Sequence, residues 1–401
     1  MAPRSVIALP NPDLLAWARE SMGLDRDNVA NKLKIQSETI QLWEFGTEKP
    51  TLAQLRRLAD IYKRPLAVFY LPERPKDFQP LRDFRRSKKG AHPRRLSSDL
   101  LLAVRKAEDR REWALELYET LAEKPPKFGG SLRQEEGIEE AGERVRRTIG
   151  IRSEAQSQWR SEYEALRNWR AAIESAGILT FQASDIETKE ARGFSISERP
   201  LPVAVANVKD APRGRIFTFL HEVVHVMLNQ SGLCDIGDDR RGNSATSRVE
   251  MFCNRVAGAT LFPQKEFLAA NVVRQHRKGD PKWTDFELQE LSRKFGGSRE
   301  AALVRLLGLE LTTWDYYLAK REEFYRKYQE AQENAKGFAA PHAVAISNAG
   351  PTFTRLVLEG LNRNKITTSD FSDYLQIRVK HLSEVKQEVS LAGGGRELLS
   401  V

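Results

Sequence analysis

The chain has 401 residues, 40% of them hydrophobic and 30% charged. Its length exceeds the roughly 250 residues at which a single hydrophobic core stops growing, so two to three globular domains are expected. No apolar run reaches the ~18 residues of a membrane span and the first residues lack a charged start followed by an apolar core, while two cysteines, Cys234 and Cys253, are too few for a disulfide framework. These features exclude membrane and disulfide-scaffold classes and point to the cytoplasm. The net charge of +9, from 64 basic and 55 acidic side chains, permits nucleic-acid contact without demanding it.

From Asn11 to Pro72 the apolar residues recur at helical spacing in short segments. Helices are expected at Asp13 to Met22, at Arg26 to Leu33 behind an Asp25 cap, and at Glu38 to Phe45 behind Ser37. A fourth follows Thr51, carrying Leu52, Leu55, Leu58, Ala59 and Tyr62, before an apolar close at Leu66 to Leu71. With Val29-Ala30, Ser37, Ile40, Trp43, Glu44, Gly46, Pro50, Leu55, Leu58 and Ala59 in these positions, the segment resembles the xenobiotic-response-element class of phage-repressor-like helix-turn-helix domains. The resemblance implies a five-helix domain over 1–73 that binds a DNA operator. Its third helix would enter the major groove and present Gln36, Ser37, Glu38, Thr39 and Gln41 to base edges. Against this, residues 1–73 carry ten basic and nine acidic side chains, with Glu38 and Glu44 on the reading helix, so phosphate attraction there is weak. A helix-turn-helix that docks a protein is the alternative.

Arg74 to Arg95 holds nine basic residues against Asp77 and Asp83, and Pro75, Pro80 and Pro93 punctuate it as a linker. Arg85, Arg86, Lys88 and Lys89 are candidate phosphate contacts; a solvated connector is the alternative. The basic helical linker is expected to span 74–125, helical from Ser98 to Lys124 and stopped by Pro125-Pro126. Beyond it, one helix carries Ile138, Ala141, Val145 and Ile149, and another carries Trp159, Tyr163, Leu166, Trp169 and Ile173. Strand-like runs follow at Ile178 to Phe181, Gly193 to Ile196 and Pro202 to Val208, then a helix over Arg215 to Asn229.

That helix contains His221-Glu222-Val223-Val224-His225. Positions i and i+4 share one helix face, so both imidazoles can hold one Zn²⁺, with Glu222 beside them as the proton acceptor for an attacking water. A catalytic zinc site takes a third protein ligand, for which Cys234, the cluster Asp235, Asp238 and Asp239, and Glu250 are candidates. Thr246 or Ser247 could cap a helix with Glu250 in its first turn. A peptidase also needs an edge that aligns its substrate. Leu201 to Val208, with Val203, Val205 and Asn207, is the candidate strand for pairing with an extended peptide.

Arg192-Gly193-Phe194-Ser195-Ile196, Leu201-Pro202-Val203, Asn207, Arg215-Ile216-Phe217-Thr218, the His-Glu-x-x-His run, Glu250-x-x-x-Asn254, Ala257 and Leu261-x-Pro263 together resemble the ImmA/IrrE family of zinc metallopeptidases. Val224 stands where that family usually has Gly, and Asn229 where a His is common. The resemblance implies Glu250 as third ligand and Glu222 as catalytic residue. It also implies a protein substrate of the helix-turn-helix repressor or toxin-antitoxin type, in stress or mobile-element control.

The expected architecture is mainly α: the helix-turn-helix domain over 1–73, the linker over 74–125, an α+β zincin-like peptidase domain with a small sheet over 126–310, and a helical C-terminal region over 311–401. DNA, a protein substrate and Zn²⁺ are the expected partners, no membrane is, and a homodimer is allowed. The rival reading is a regulator or antitoxin whose peptidase-like domain senses or scaffolds without proteolysis.

Overall fold

Short helices with polar caps build the N-terminal part. In the computed structural model, which describes residues 6–75, 82–83, 96–230, 232–234, 245–334 and 339–393, α1 (Pro12–Ser21) opens on a proline behind Asn11, whose side chain accepts from the Asp13 amide. Asp25 caps α2 (Arg26–Leu33) by accepting from the Asn28 amide at 2.7 Å. The cap of α3 (Ser37–Glu44) is Gln36 rather than Ser37, and its side chain makes no capping bond. A reciprocal Thr51–Gln54 capping box starts α4 (Leu52–Tyr62). Where a fifth helix was expected, Leu66–Tyr70 forms only a 3₁₀ turn, because Pro65 and Pro72 leave no room for longer propagation. The fifth helix comes from further along. α5 (Ser98–Thr120) begins in the same unit, and Leu100, Leu101 and Val104 on its first turns are buried.

Glu44 departs from the expectation that it faces DNA. Its side chain is 2% exposed and accepts from Arg19 Nε at 2.6 Å and Arg26 Nε at 2.9 Å. The carboxylate ties α3 to α1 and α2 inside the core, and its charge is balanced there.

The chain divides into two units, Met1–Pro80 with Ser87–Lys106, and Leu81–Arg86 with Ala107–Val401. The second holds a five-stranded sheet in the order β1-β5-β3-β4-β2, made of β1 (Arg82–Asp83), β2 (Leu179–Ala183), β3 (Gly193–Ile196), β4 (Val203–Asn207) and β5 (Gly232–Cys234). β4 runs parallel to β2, from Leu179↔Val203 to Ala183↔Asn207, and antiparallel to β3. β3 in turn pairs antiparallel with β5, and β5 parallel with β1.

This order overturns one expectation. β4 is interior, so Val203, Val205 and Asn207 have no free flank for a peptide and all three are buried. The Val-Ala-Val-Ala run is the apolar signature of a strand covered on all sides. Asn207 is structural: its Nδ2 donates to Ile186 O and Ala191 O and holds the chain before β3.

Helices α6 (Ile138–Ile149), α7 (Ser153–Gln156) and α8 (Glu162–Ser175) precede the sheet. α9 (Pro212–Met227) starts three residues earlier than the pattern suggested, with Pro212 in its first turn. α10 (Ala245–Leu261) lies close against α6 at Gly142, where a Cβ would come within 2.7 Å of Ala259 Cβ. Next come α11 (Gln264–Leu268), α12 (Asn271–Gln275), α13 (Asp285–Phe295) and α14 (Arg299–Gly308), the last pinned to α6 by a two-pronged Arg305–Glu139 contact at 2.7 and 2.6 Å. α15 (Trp314–Asn334), α16 (Pro341–Ala349), α17 (Pro351–Asn362), α18 (Thr368–Leu375) and α19 (Leu382–Gly393) complete the unit. Among the described residues no helix is long and apolar enough to cross a membrane.

Candidate metal centre

Every residue of α9 from Ile216 to Met227 is buried, so the helix runs through the core of its unit and its polar side chains must find partners there. His221 and His225, one turn apart, are both 0% exposed, and their Nε2 atoms lie 3.1 Å from each other. α10 packs beside α9 and brings in Glu250, with Oε2 3.3 Å from His221 Nε2 and Oε1 3.1 Å from His225 Nε2. Among the described residues these three are the one group of His, Cys, Asp or Glu donors that all lie within 4.8 Å of one another.

The donor set fits zinc. Ligands 2.0–2.1 Å from a tetrahedral ion stand roughly 3.3 Å apart; here the two Nε2 atoms are 3.1 Å apart and each faces a different oxygen of Glu250, at 3.3 and 3.1 Å, and with one atom taken from each residue the three lie within 4.8 Å of one another. Two imidazole nitrogens and one carboxylate oxygen are also the borderline-soft mix that zinc prefers.

Electrostatics tie the three side chains together. Burial pushes the Glu250 carboxyl upward, but hydrogen bonds from both imidazoles and their charges outweigh it and bring the pKa down to about 2. Burial lowers His221 while Glu250 and Glu222 raise it, for a net rise; at His225 burial prevails and the net shift is downward. Glu250 therefore stays anionic, as a metal ligand must.

Glu222 is fully buried beside His221. Its Oε1 lies 2.9 Å from where a Cβ on Gly193 would stand, and that same Cβ would be 2.4 Å from Thr218 Cγ2 and 2.6 Å from Val205 O. β3 approaches the Glu222 carboxylate this closely only because residue 193 is glycine.

The structure thus brings His221, Glu222, His225 and Glu250 into one buried cluster. Glu250 sits in the second turn of α10, since that helix begins at Ala245, ahead of Thr246 and Ser247. Of the alternative ligands, the Cys234 side chain and Asp235, Asp238 and Asp239 lie outside the described residues. On α3, Gln36, Glu38 and Gln41 are exposed and Ser37 and Thr39 half-buried; Arg85, Arg86, Lys88 and Lys89 lie outside the described residues. Sequence reasoning gave no role to Gly193 or Asn254. Their signals were a glycine inside a strand-like run and a polar residue one turn after Glu250.

With this geometry in place, residues 173–307 match the family model of the IrrE N-terminal-like domain, Peptidase_M78. That segment runs from within α8 to within α14, contains all four clustered residues and covers about a third of the chain. It is similar to a peptidase domain of a typically metal-dependent kind. No curated protein matches the chain.

Proposed function

We propose that the chain is a zinc-dependent endopeptidase joined to a DNA-reading helix-turn-helix unit, and that it cleaves a repressor- or antitoxin-type protein. The observation that carries the peptidase reading is the buried group of His221, His225 and Glu250, two imidazoles each facing an oxygen of one carboxylate, with the Glu222 carboxylate at its side.

Zinc bound to this donor set would polarise the scissile carbonyl and lower the pKa of a nearby water toward 7. Glu222 takes the proton from the attacking water as the new C–O bond forms, then gives it to the amine nitrogen as the C–N bond breaks. Water thus supplies hydroxyl to one product and hydrogen to the other. Glu222 is suited to this because the α9 backbone fixes it next to a ligand.

Purified protein is expected to carry about one zinc per chain, and His221→Ala or His225→Ala to lose it, since each removes one of three protein donors. Glu222→Gln keeps the metal and abolishes cleavage of the helix-turn-helix repressor encoded nearest its own gene. Full zinc in His221→Ala, or undiminished cleavage by Glu222→Gln, overturns the assignment. Stoichiometric zinc with no proteolysis of any neighbouring repressor or antitoxin favours the non-proteolytic regulator instead.

The DNA reading is supported by exposed Gln36, Glu38 and Gln41 on α3 and by the inward-facing Glu44. Gln41→Ala relaxes sequence preference, whereas neutralising Arg85, Arg86, Lys88 and Lys89 weakens binding to all duplexes and flattens the salt dependence by about 0.9 per phosphate contact. An unchanged slope in the fourfold variant makes that stretch a solvated linker.

A further inference from the structure

The α9 face that carries His221 and His225 continues toward the helix N-terminus through Thr218 and Gly214, at i−3 and i−7 from His221. The α10 face that carries Glu250 continues one turn later at Asn254. Between these two continuations lies a cavity of about 20 Å³, whose apolar side is formed by Ala301 and Val304 of α14 and Tyr317 of α15. At its rim Arg192 pairs with Glu300 at 3.3 Å, and Arg321 Nε holds the other oxygen of Glu300 at 3.4 Å.

We propose that this cavity receives the side chain next to the scissile peptide bond and restricts that residue to one the size of alanine or serine. The inference rests on the zinc-peptidase reading above and adds the substrate class. One helical turn is about 5.4 Å and consecutive Cα atoms are about 3.8 Å apart. Thr218 and Asn254, each about one turn from a candidate ligand, line the cavity, so it adjoins the cluster at the spacing of one residue along an extended peptide.

Its volume sets the size limit. A water needs roughly 10–15 Å³ of such space and a benzene ring occupies a cavity of about 150 Å³, so a methyl or hydroxymethyl group fits here and an isobutyl or benzyl group does not. The walls resist widening: Tyr317 is 1% exposed, and the Arg305–Glu139 contact anchors α14.

The test uses full-length protein loaded with one zinc and a series of peptide hydroxamates. Their side chain next to the chelating group is hydrogen, methyl, isobutyl or benzyl, on either side of that group, and binding is read by calorimetry. In one orientation the methyl compound binds tightest, with isobutyl and benzyl weaker by roughly tenfold or more. Val304→Ala selectively tightens the isobutyl compound, and Ala301→Leu removes the methyl preference. Affinity that rises steadily with size, a flat series in both orientations, an unchanged ranking in Val304→Ala, or zinc-loaded protein that binds none of the compounds overturns the proposal. Protein that takes up no zinc at all refutes the underlying peptidase reading, and the inference falls with it.

Discussion

Gly193→Ala tests whether the contact between β3 and α9 shapes the centre. The added Cβ would stand 2.4 Å from Thr218 Cγ2, 2.6 Å from Val205 O and 2.9 Å from Glu222 Oε1, against ordinary contacts of 3.4 Å or more. Thr218 Cγ2 can rotate away, but Val205 O belongs to the backbone of an interior strand, so β3 must lift or α9 must slide. Such overpacking costs about 1–3 kcal/mol, offset by the ~0.5–1 kcal/mol gained when alanine replaces glycine in a strand. The net loss lowers Tm by about 2–8 °C for a unit of this size. Glu222 must also retreat by roughly half an ångström, which costs catalysis tenfold or more on the scale where a 1 Å misplacement costs about a hundredfold. Zinc stoichiometry is expected to stay unchanged, because none of His221, His225 and Glu250 is among the three atoms nearest the new methyl. Thermal melts, elemental analysis and, on the reading proposed above, kcat/KM on the candidate repressor read the three quantities separately. A variant with wild-type Tm and wild-type kcat/KM would refute the argument and make the glycine incidental.

Three further expectations concern stability. Glu44→Gln leaves Arg19, 9% exposed, without its full counter-charge, and should destabilise the first unit by about 3–5 kcal/mol, visible as an earlier helical melt by circular dichroism; an unchanged melt would show that α1 and α3 hold without the pair. Stripping zinc with a chelator should lower the Tm of the second unit, since a ligand present at a thousandfold its Kd stabilises by about 4 kcal/mol, and His225→Ala should be insensitive to the same treatment. His276 is lowered by burial but raised further by its 2.7 Å bond to Glu287 and by Asp280 O, for a net rise above 6.5. The folded state therefore holds that proton more tightly, and the stabilisation is complete below pH 6.5 and lost as pH rises through the folded value. The Tm gap between the wild type and His276→Gln should close over that window, and a gap constant from pH 6 to 8.5 would contradict it.

What could be read from the sequence was mostly local. His221, Glu222 and His225 fall within one helix turn and a fraction, so spacing alone placed two imidazoles on one face. Glu250 lies far along the chain on another helix, and spacing left it level with Cys234 and the aspartates until a family resemblance separated them. Strand order is set by non-local pairing, so the apolar stretch Val203–Asn207 was legible as a strand while its interior position was not. The two-residue β1 and three-residue β5 are too short for any alternation to register. Glu44 looked like a surface charge because its partners, Arg19 and Arg26, come from two other helices. The fifth helix is a related case: the six apolar residues between Pro65 and Pro72 hold only a 3₁₀ turn, and the next helix of the unit starts 28 residues after Tyr70, at Ser98.

Both flanks of β3, the strand whose Gly193 lies against Glu222, are taken, by β4 on one side and by β5 over three paired positions on the other. A passing unfolded polypeptide consequently finds no ladder of main-chain donors and acceptors along β3 beside Glu222. Three such pairings at about 1 kcal/mol each amount to roughly a hundredfold in affinity, and that generic attraction is the one every polypeptide would share. On the peptidase reading proposed above, withholding it would turn the discrimination problem around: a substrate would have to be recognised through its side chains and its shape.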